Sequence, residues 1–259
     1  MRLGAASYPM IKQLTLTTIV RVIAFACLTV QMLTYSVTSH AALTLNNTRI
    51  IYNSDKRNTS VVVRNPSKST YAVQSWINTE ADDNTTSVPF TTSPPLFRID
   101  PSSEQLVQIN ALPNQLPQDR ESLFFFNMQE IPQASNEAGN HLNIAIRTRI
   151  KLFYRPQQLK GTPTDHYKSL TFSVSERQGV KQLLVNNPTP FHITFIRLEV
   201  HGKGQQQAVK NTAMLAPFSE QAYPLTGITH TAALKANFSV INDYGGYTTP
   251  FSAPIQLAN

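Results

Sequence analysis

The run Leu142-Asn143-Ile144-Ala145-Ile146-Arg147-Thr148-Arg149-Ile150-Lys151-Leu152-Phe153-Tyr154 is the longest alternating stretch in the chain. Leu142, Ile144, Ile146, Ile150 and Leu152 share even parity, while Asn143, Ala145, Arg147, Arg149 and Lys151 take the odd positions. Successive side chains of a strand point to opposite faces, so this spacing predicts one strand with an apolar front and a basic back. Ile150 and Leu152 read as core. If the strand lies at a sheet edge, part of its apolar row is left without a partner, a condition most proteins blunt. An edge left intact is a template for strand addition to another protein.

Working outward, the residues before and after this run are short β-rich segments separated by turn clusters, and no stretch of helical length keeps a 3.6-residue period. Upstream the expected strands are Leu43–Tyr52, Ser60–Arg64, Tyr71–Ile77, Phe97–Asp100, Gln105–Ala111 and Ser122–Gln129, which with the quoted run make the seven strands of an immunoglobulin-like sandwich. Pro94-Pro95, Asp100-Pro101 and Leu116-Pro117 punctuate them. After Arg155-Pro156 a polar, aperiodic stretch marks a domain boundary, placed at 158/159. A second β series follows: Thr171–Glu176, Gln182–Asn186, His192–Glu199, Gln207–Lys210, Glu220–Tyr223, Ala232–Ile241 and Thr248–Ile255. The fold class is therefore all-β with two sandwich domains, residues 42–158 and 159–259.

Residues 1–41 read as a cleavable secretory signal. Lys12 and Arg21 precede an apolar stretch from Val22 to Leu33 and the small-residue pattern Ser39-His40-Ala41, with cleavage expected after Ala41. The uninterrupted apolar run is about seven residues, far short of the roughly 20 that span a bilayer. Met1 and Met10 both stand as candidate starts. The single cysteine, Cys27, falls in this leader, so the exported domains hold no thiol and depend on packing for stability. Losing Arg2, Lys12 and Arg21 lowers the formal charge from +7 to +4, and the remaining cations are scattered, which argues against nucleic acid.

Catalytic arrangements are missing: there is no nucleophile elbow, phosphate loop, dinucleotide fingerprint or zincin motif. His141, His166, His192, His201 and His230 are dispersed, so neither a metal nor a cofactor is expected. Asp82-Asp83 resembles a carboxylate pair but sits in an Asn/Thr-rich turn, where Asp serves local hydrogen bonds. The chemistry points to binding rather than catalysis; an adhesive surface module and a secreted hydrolase are the rival readings.

Several segments, in order along the chain, carry a family resemblance. They are Thr48-Arg49-Ile50-Ile51-Tyr52, Gln74-Ser75-Trp76-Ile77, Ser93-Pro94-Pro95, Leu116 to Asn127, Glu130-Ile131-Pro132, Ile150 to Pro156, Asn187-Pro188-Thr189-Pro190-Phe191 and Ile241 to Gly246. Together they resemble the PapD-like periplasmic chaperones of pilus (fimbrial) assembly. The resemblance implies two immunoglobulin-like domains in a boomerang, with Arg49 and Lys151 binding the C-terminal carboxylate of a pilin subunit in the cleft. It implies that Leu142, Ile144 and Ile146 form a donor strand completing the subunit's sandwich, and that Glu121, Arg155 and Asp243 form an interdomain charged cluster. The implied partners are pilin subunits and an outer-membrane usher, in the periplasm, without ATP; self-association of the free protein stays open. Phe124, Phe125 and Phe126 read as packing residues facing both sides of their strand. The nine-residue connection Gln133 to His141 resembles the short-loop branch serving rod-forming pili.

Overall fold

The computed structural model describes residues 43–83, 85–131, 144–177 and 179–257, with Arg21, Ala24 and Phe25. Apart from those three residues the expected signal segment, with its Cys27, lies outside the described residues, as do the Gln133 to His141 connection and Leu142.

The first sandwich is built from β1 (Thr44–Leu45), β2 (Arg49–Asn53), β3 (Asn58–Arg64), β4 (Tyr71–Asn78), β5 (Phe90–Ser93), β6 (Leu96–Ile99), β7 (Glu104–Ala111), β8 (Ser122–Ile131) and β9 (Arg147–Arg155). These form one sheet in the order β1-β3-β7-β5 and a facing sheet in the order β2-β9-β8-β4-β6. Between them lies a core that includes Ile50, Tyr52, Val61, Val63, Val73, Val107, Phe126 and Leu152. Alternation selects these residues: in β3, Val61 and Val63 are fully buried while Val62 between them is only partly so.

Two strand expectations need correction here. Leu43–Tyr52 is not one strand: β1 pairs with β3, β2 pairs with β9, and the chain changes sheets at Asn46 to Thr48. Asn46 makes the break, because its N–H donates to the Val62 carbonyl at 3.2 Å and its Oδ1 accepts the Val62 N–H at 3.0 Å. The run expected as a strand from Leu142 keeps its regular ladder only from Arg147. Beyond the Gln129–Arg147 pair a single bond, Glu130 N–H to the Ile146 carbonyl at 3.0 Å, extends the pairing, although β8 itself continues to Ile131 against β4. Ile144 and Ile146 therefore lie outside the strand. β5 was not expected, since four residues of Phe-Thr-Thr-Ser carry too little pattern to separate from a loop.

The second sandwich starts with helix α1 (Pro163–His166) and a 3₁₀ turn (Tyr167–Ser169), which a single turn is too short to announce by periodicity. Pro163 opens the helix, and the Thr162 N–H and hydroxyl donate to Asp165 Oδ2 at 2.8 and 2.9 Å. Then come β10 (Thr171–Arg177), β11 (Val180–Asn187), β12 (Phe195–Gly202), β13 (Gln205–Ala208), β14 (Ser219–Pro224), β15 (Lys235–Val240) and β16 (Phe251–Leu257). They bond in the order β13-β12-β15-β16-β10-β11-β14 around a core with Tyr167, Phe172, Leu183, Phe195 and Phe238. The strand expected from His192 begins only at Phe195, and the one expected from Thr248 at Phe251.

Candidate functional site

β9 has two unlike halves. From Lys151 to Tyr154 it lies between β8 and the parallel β2, with Arg49 opposite Lys151, and Asn53 of β2 stands opposite Arg155. From Arg147 to Ile150 it is bonded to β8 alone, because β2 begins at Arg49. Its other edge there has no strand partner among the described residues and so presents unpaired backbone groups among them. The even-parity row continues past the strand end into Ile144 and Ile146, 66% and 44% exposed, whereas Leu152 is fully buried.

The odd positions of β9 put Arg147, Arg149, Lys151, Phe153 and Arg155 on the outer face of the sheet. Arg147 is paired with Asp82, and Arg155 with Glu121 and Asp243. Arg149 donates to the Thr79 carbonyl at 2.6 Å and lies 3.8 Å over the Phe125 ring. Lys151 and its register partner Arg49 differ: among the described residues neither makes an ion pair. Arg49 Nη1 makes one long bond, 3.4 Å to the Ile241 carbonyl, and its buried Nε has no partner among the described residues. Its guanidinium lies 5.8 Å from the Phe153 ring.

Burial lowers the Lys151 ammonium below its ordinary range, and the Arg49 charge lowers it further. Burial also lowers Arg49, against the opposing pull of Asp243. These are two half-buried cations side by side, with most of their donors free among the described residues, and a carboxylate between them would relieve their repulsion and accept charge-assisted bonds. Nearby Tyr167 does not compete, because burial pushes its hydroxyl up to about 12 and leaves it neutral.

Behind the cation pair sits the charged cluster. Arg155 Nε and Nη2 donate to Glu121 Oε1 at 2.9 and 2.8 Å, and Nη1 and Nη2 donate to Asp243 at 2.8 and 3.0 Å. Burial disfavours the Arg155 charge, but the bonds to Asp243 and Glu121 more than offset it, so its pKa stands above the ordinary value. Glu121 immediately precedes β8, Arg155 ends β9 and Asp243 lies in the turn after β15, so the cluster links the two sandwiches. Sequence reasoning missed His192: its backbone N–H and Nδ1 both meet Glu121 Oε2, at 2.8 and 3.1 Å, and its ring lies 5.4 Å from Phe153. Only its place beside the Pro-Phe motif signalled it.

A model of the "Pili and flagellar-assembly chaperone, PapD N-terminal domain" matches residues 42–160, and one of the "Pili assembly chaperone PapD, C-terminal domain" matches residues 165–252. The chain belongs to the PapD-like pilus assembly chaperones. Over 227 residues this PapD-like chaperone is 37% identical to the probable fimbrial chaperone YadV of Escherichia coli K12, covering 84% of the chain and 92% of the relative. It is 35% identical to Escherichia coli chaperone protein PapD, over 80% and 84% of the two chains. The YadV crystal structure superposes with a TM-score of 0.71 at 34% identity, covering 83% of this chain and all of that one. A chain of the Salmonella enterica complex of SafA pilin with the SafB chaperone also reaches 0.71, at 27% identity, over 84% and 98%.

In this PapD-like chaperone the sequence-expected residues fall into three groups. Arg49 and Lys151 are neighbours in register, and Glu121, Arg155 and Asp243 are bonded together. Ile144 and Ile146 are exposed at the open end of β9. The Phe triplet divides as parity requires: Phe124 and Phe126 enter the core, while Phe125 supports Arg149 on the outer face.

Proposed function

We propose that the protein is a periplasmic chaperone that lends an edge strand to unassembled pilin subunits, anchors their C-terminal carboxylate at Arg49 and Lys151, and delivers them to an outer-membrane usher. The observation that carries this reading is an uncovered strand edge that ends at two cations with no carboxylate partner among the described residues. A subunit strand laid along Ile146 to Ile150 gains backbone bonds over about five residues, roughly 17 Å. Its carboxylate then meets Arg49 and Lys151, each charge-assisted bond contributing about 1.5–3 kcal/mol. A one-residue slip would turn every side chain to the wrong face, so the anchor also sets register for Ile144 and Ile146. The Glu121–Arg155–Asp243 cluster holds the cleft's shape. The solved SafA pilin–SafB chaperone complex and the relative described as the periplasmic chaperone SfaE support the partner class and the compartment.

Co-expression with the pilin subunits encoded beside it tests this. Wild type is expected to co-purify with subunit one-to-one, and Arg49→Ala and Lys151→Ala to fold yet lose at least about tenfold in recovery. Equal recovery by all three removes the anchor, and no recovery by any removes the chaperone mechanism.

A further inference from the structure

Asp82 and Asp83 follow one another in the turn after β4 and do different things. Asp83 stays local: its carboxylate accepts from the Thr85 N–H at 2.9 Å, the Thr86 N–H at 2.5 Å and the Thr86 hydroxyl at 2.9 Å. Asp82 instead reaches Arg147, 65 residues further along the chain, with both oxygens facing the guanidinium and one bond, Nη1 to Oδ2, of 3.2 Å. Its backbone has φ +59°, a left-handed conformation that Asp and Asn tolerate better than most residues.

The Asp82–Arg147 pair closes a ring. Arg147 Nε and Nη2 donate to Asn127 Oδ1 at 3.0 and 2.6 Å, Asn127 Nδ2 donates to Asn78 Oδ1 at 2.9 Å, and Asn78 Nδ2 donates to Asp82 Oδ1 at 2.7 Å. Asn127 and Asn78 are buried, and the Arg147 guanidinium lies 5.0 Å over the Trp76 ring. The ring thus runs from β9 across β8 to β4 and the turn beyond it. It attaches to β9 at Arg147, in the half that has one strand neighbour and no β2. A lone edge held by one ladder frays, and a strand that must be ordered at the moment of binding loses that ordering entropy from its affinity.

Building on the strand-donation reading, we propose that Asp82, Arg147 and Asn127 are positioning residues that hold the uncovered half of β9 extended before a subunit arrives. They touch no subunit themselves; side-chain bonds on the back of the sheet replace the second strand neighbour that the edge must lack in order to bind.

Asp82→Asn tests this, since Asn keeps the left-handed turn and removes the ionic bond, with Arg147→Gln as the reciprocal variant. Asp83→Asn is the control, the same charge change one residue away. Amide hydrogen exchange of 144–150 in the full-length exported protein is expected to accelerate about tenfold in both ring variants, with β10–β16 unchanged. Subunit dissociation constants are expected to rise about fivefold, and Asp83→Asn to do neither. The proposal is overturned by unchanged exchange at 144–150, by uniform acceleration across the first sandwich, or by a loosened edge that binds subunit as tightly as wild type. Failure of wild type to bind subunit would instead sink strand donation, and the exchange comparison would still decide whether the ring orders the edge.

Discussion

Leu152 and Ile146 have the same parity in one alternating run, yet Leu152 is fully buried and Ile146 is 44% exposed. Residue type does not separate them; neighbours do. β2 joins the sheet at Arg49, so Lys151 to Tyr154 have strands on both sides, whereas among the described residues Arg147 to Ile150 have β8 alone and Ile146 keeps a single bond to it. The outer face changes at the same point. Arg147 and Arg149 are tied to side chains and carbonyls of the sheet, whereas Lys151 and Arg49 keep their charge unpaired among the described residues. One half of the strand is therefore enclosed on both sides, and the other keeps one edge open among the described residues.

The contrast is broken most strongly through its buried half. Leu152→Ala leaves a cavity between the sheets and is expected to destabilise the protein by about 2–5 kcal/mol in denaturant unfolding. Ile146→Ser is the counterpart: its stability is expected to stay within about 0.5 kcal/mol of wild type. Subunit affinity should fall by about tenfold, as expected from losing one buried aliphatic contact. Equal stability losses at the two sites would erase the distinction between the halves.

A smaller effect sharpens the view of the junction. Burial and Arg49 hold the Lys151 pKa below its ordinary 10.5, so the free protein loses this charge at lower pH than an exposed lysine would. A bound carboxylate favours the protonated form, so binding is strongest below the lowered pKa and weakens as pH rises through it. Titration of subunit affinity from neutral pH upward is expected to show this decline before pH 10.5 in wild type and not in Lys151→Ala. A flat profile in both would remove Lys151 from the site.

Much of this was legible in the chain. Parity alone assigned Leu152 inward and Lys151 outward, and ordered motifs tied Arg49, Lys151, Glu121, Arg155 and Asp243 to a family. Local pattern misread the ends: the ladder between β9 and β8 stops at the Arg147–Gln129 pair, and the first strand divides at Asn46, both settled by a partner distant in sequence. His192 and Asp82 were passed over for the same reason. One read as a scattered histidine and the other as a turn former, because Glu121 and Arg147 lie 71 and 65 residues away.

Alternation is a property of consecutive residues, so the all-β class, the two sandwiches and which side chains share a face could all be read along the chain. Which part of β9 is an edge, which cations stay unpaired among the described residues and which side chains bond to the back of its edge half emerge only once the sheets assemble. Those outcomes depend on where β2 enters the sheet and on which side chains from other strands reach its back, and no local spacing encodes either.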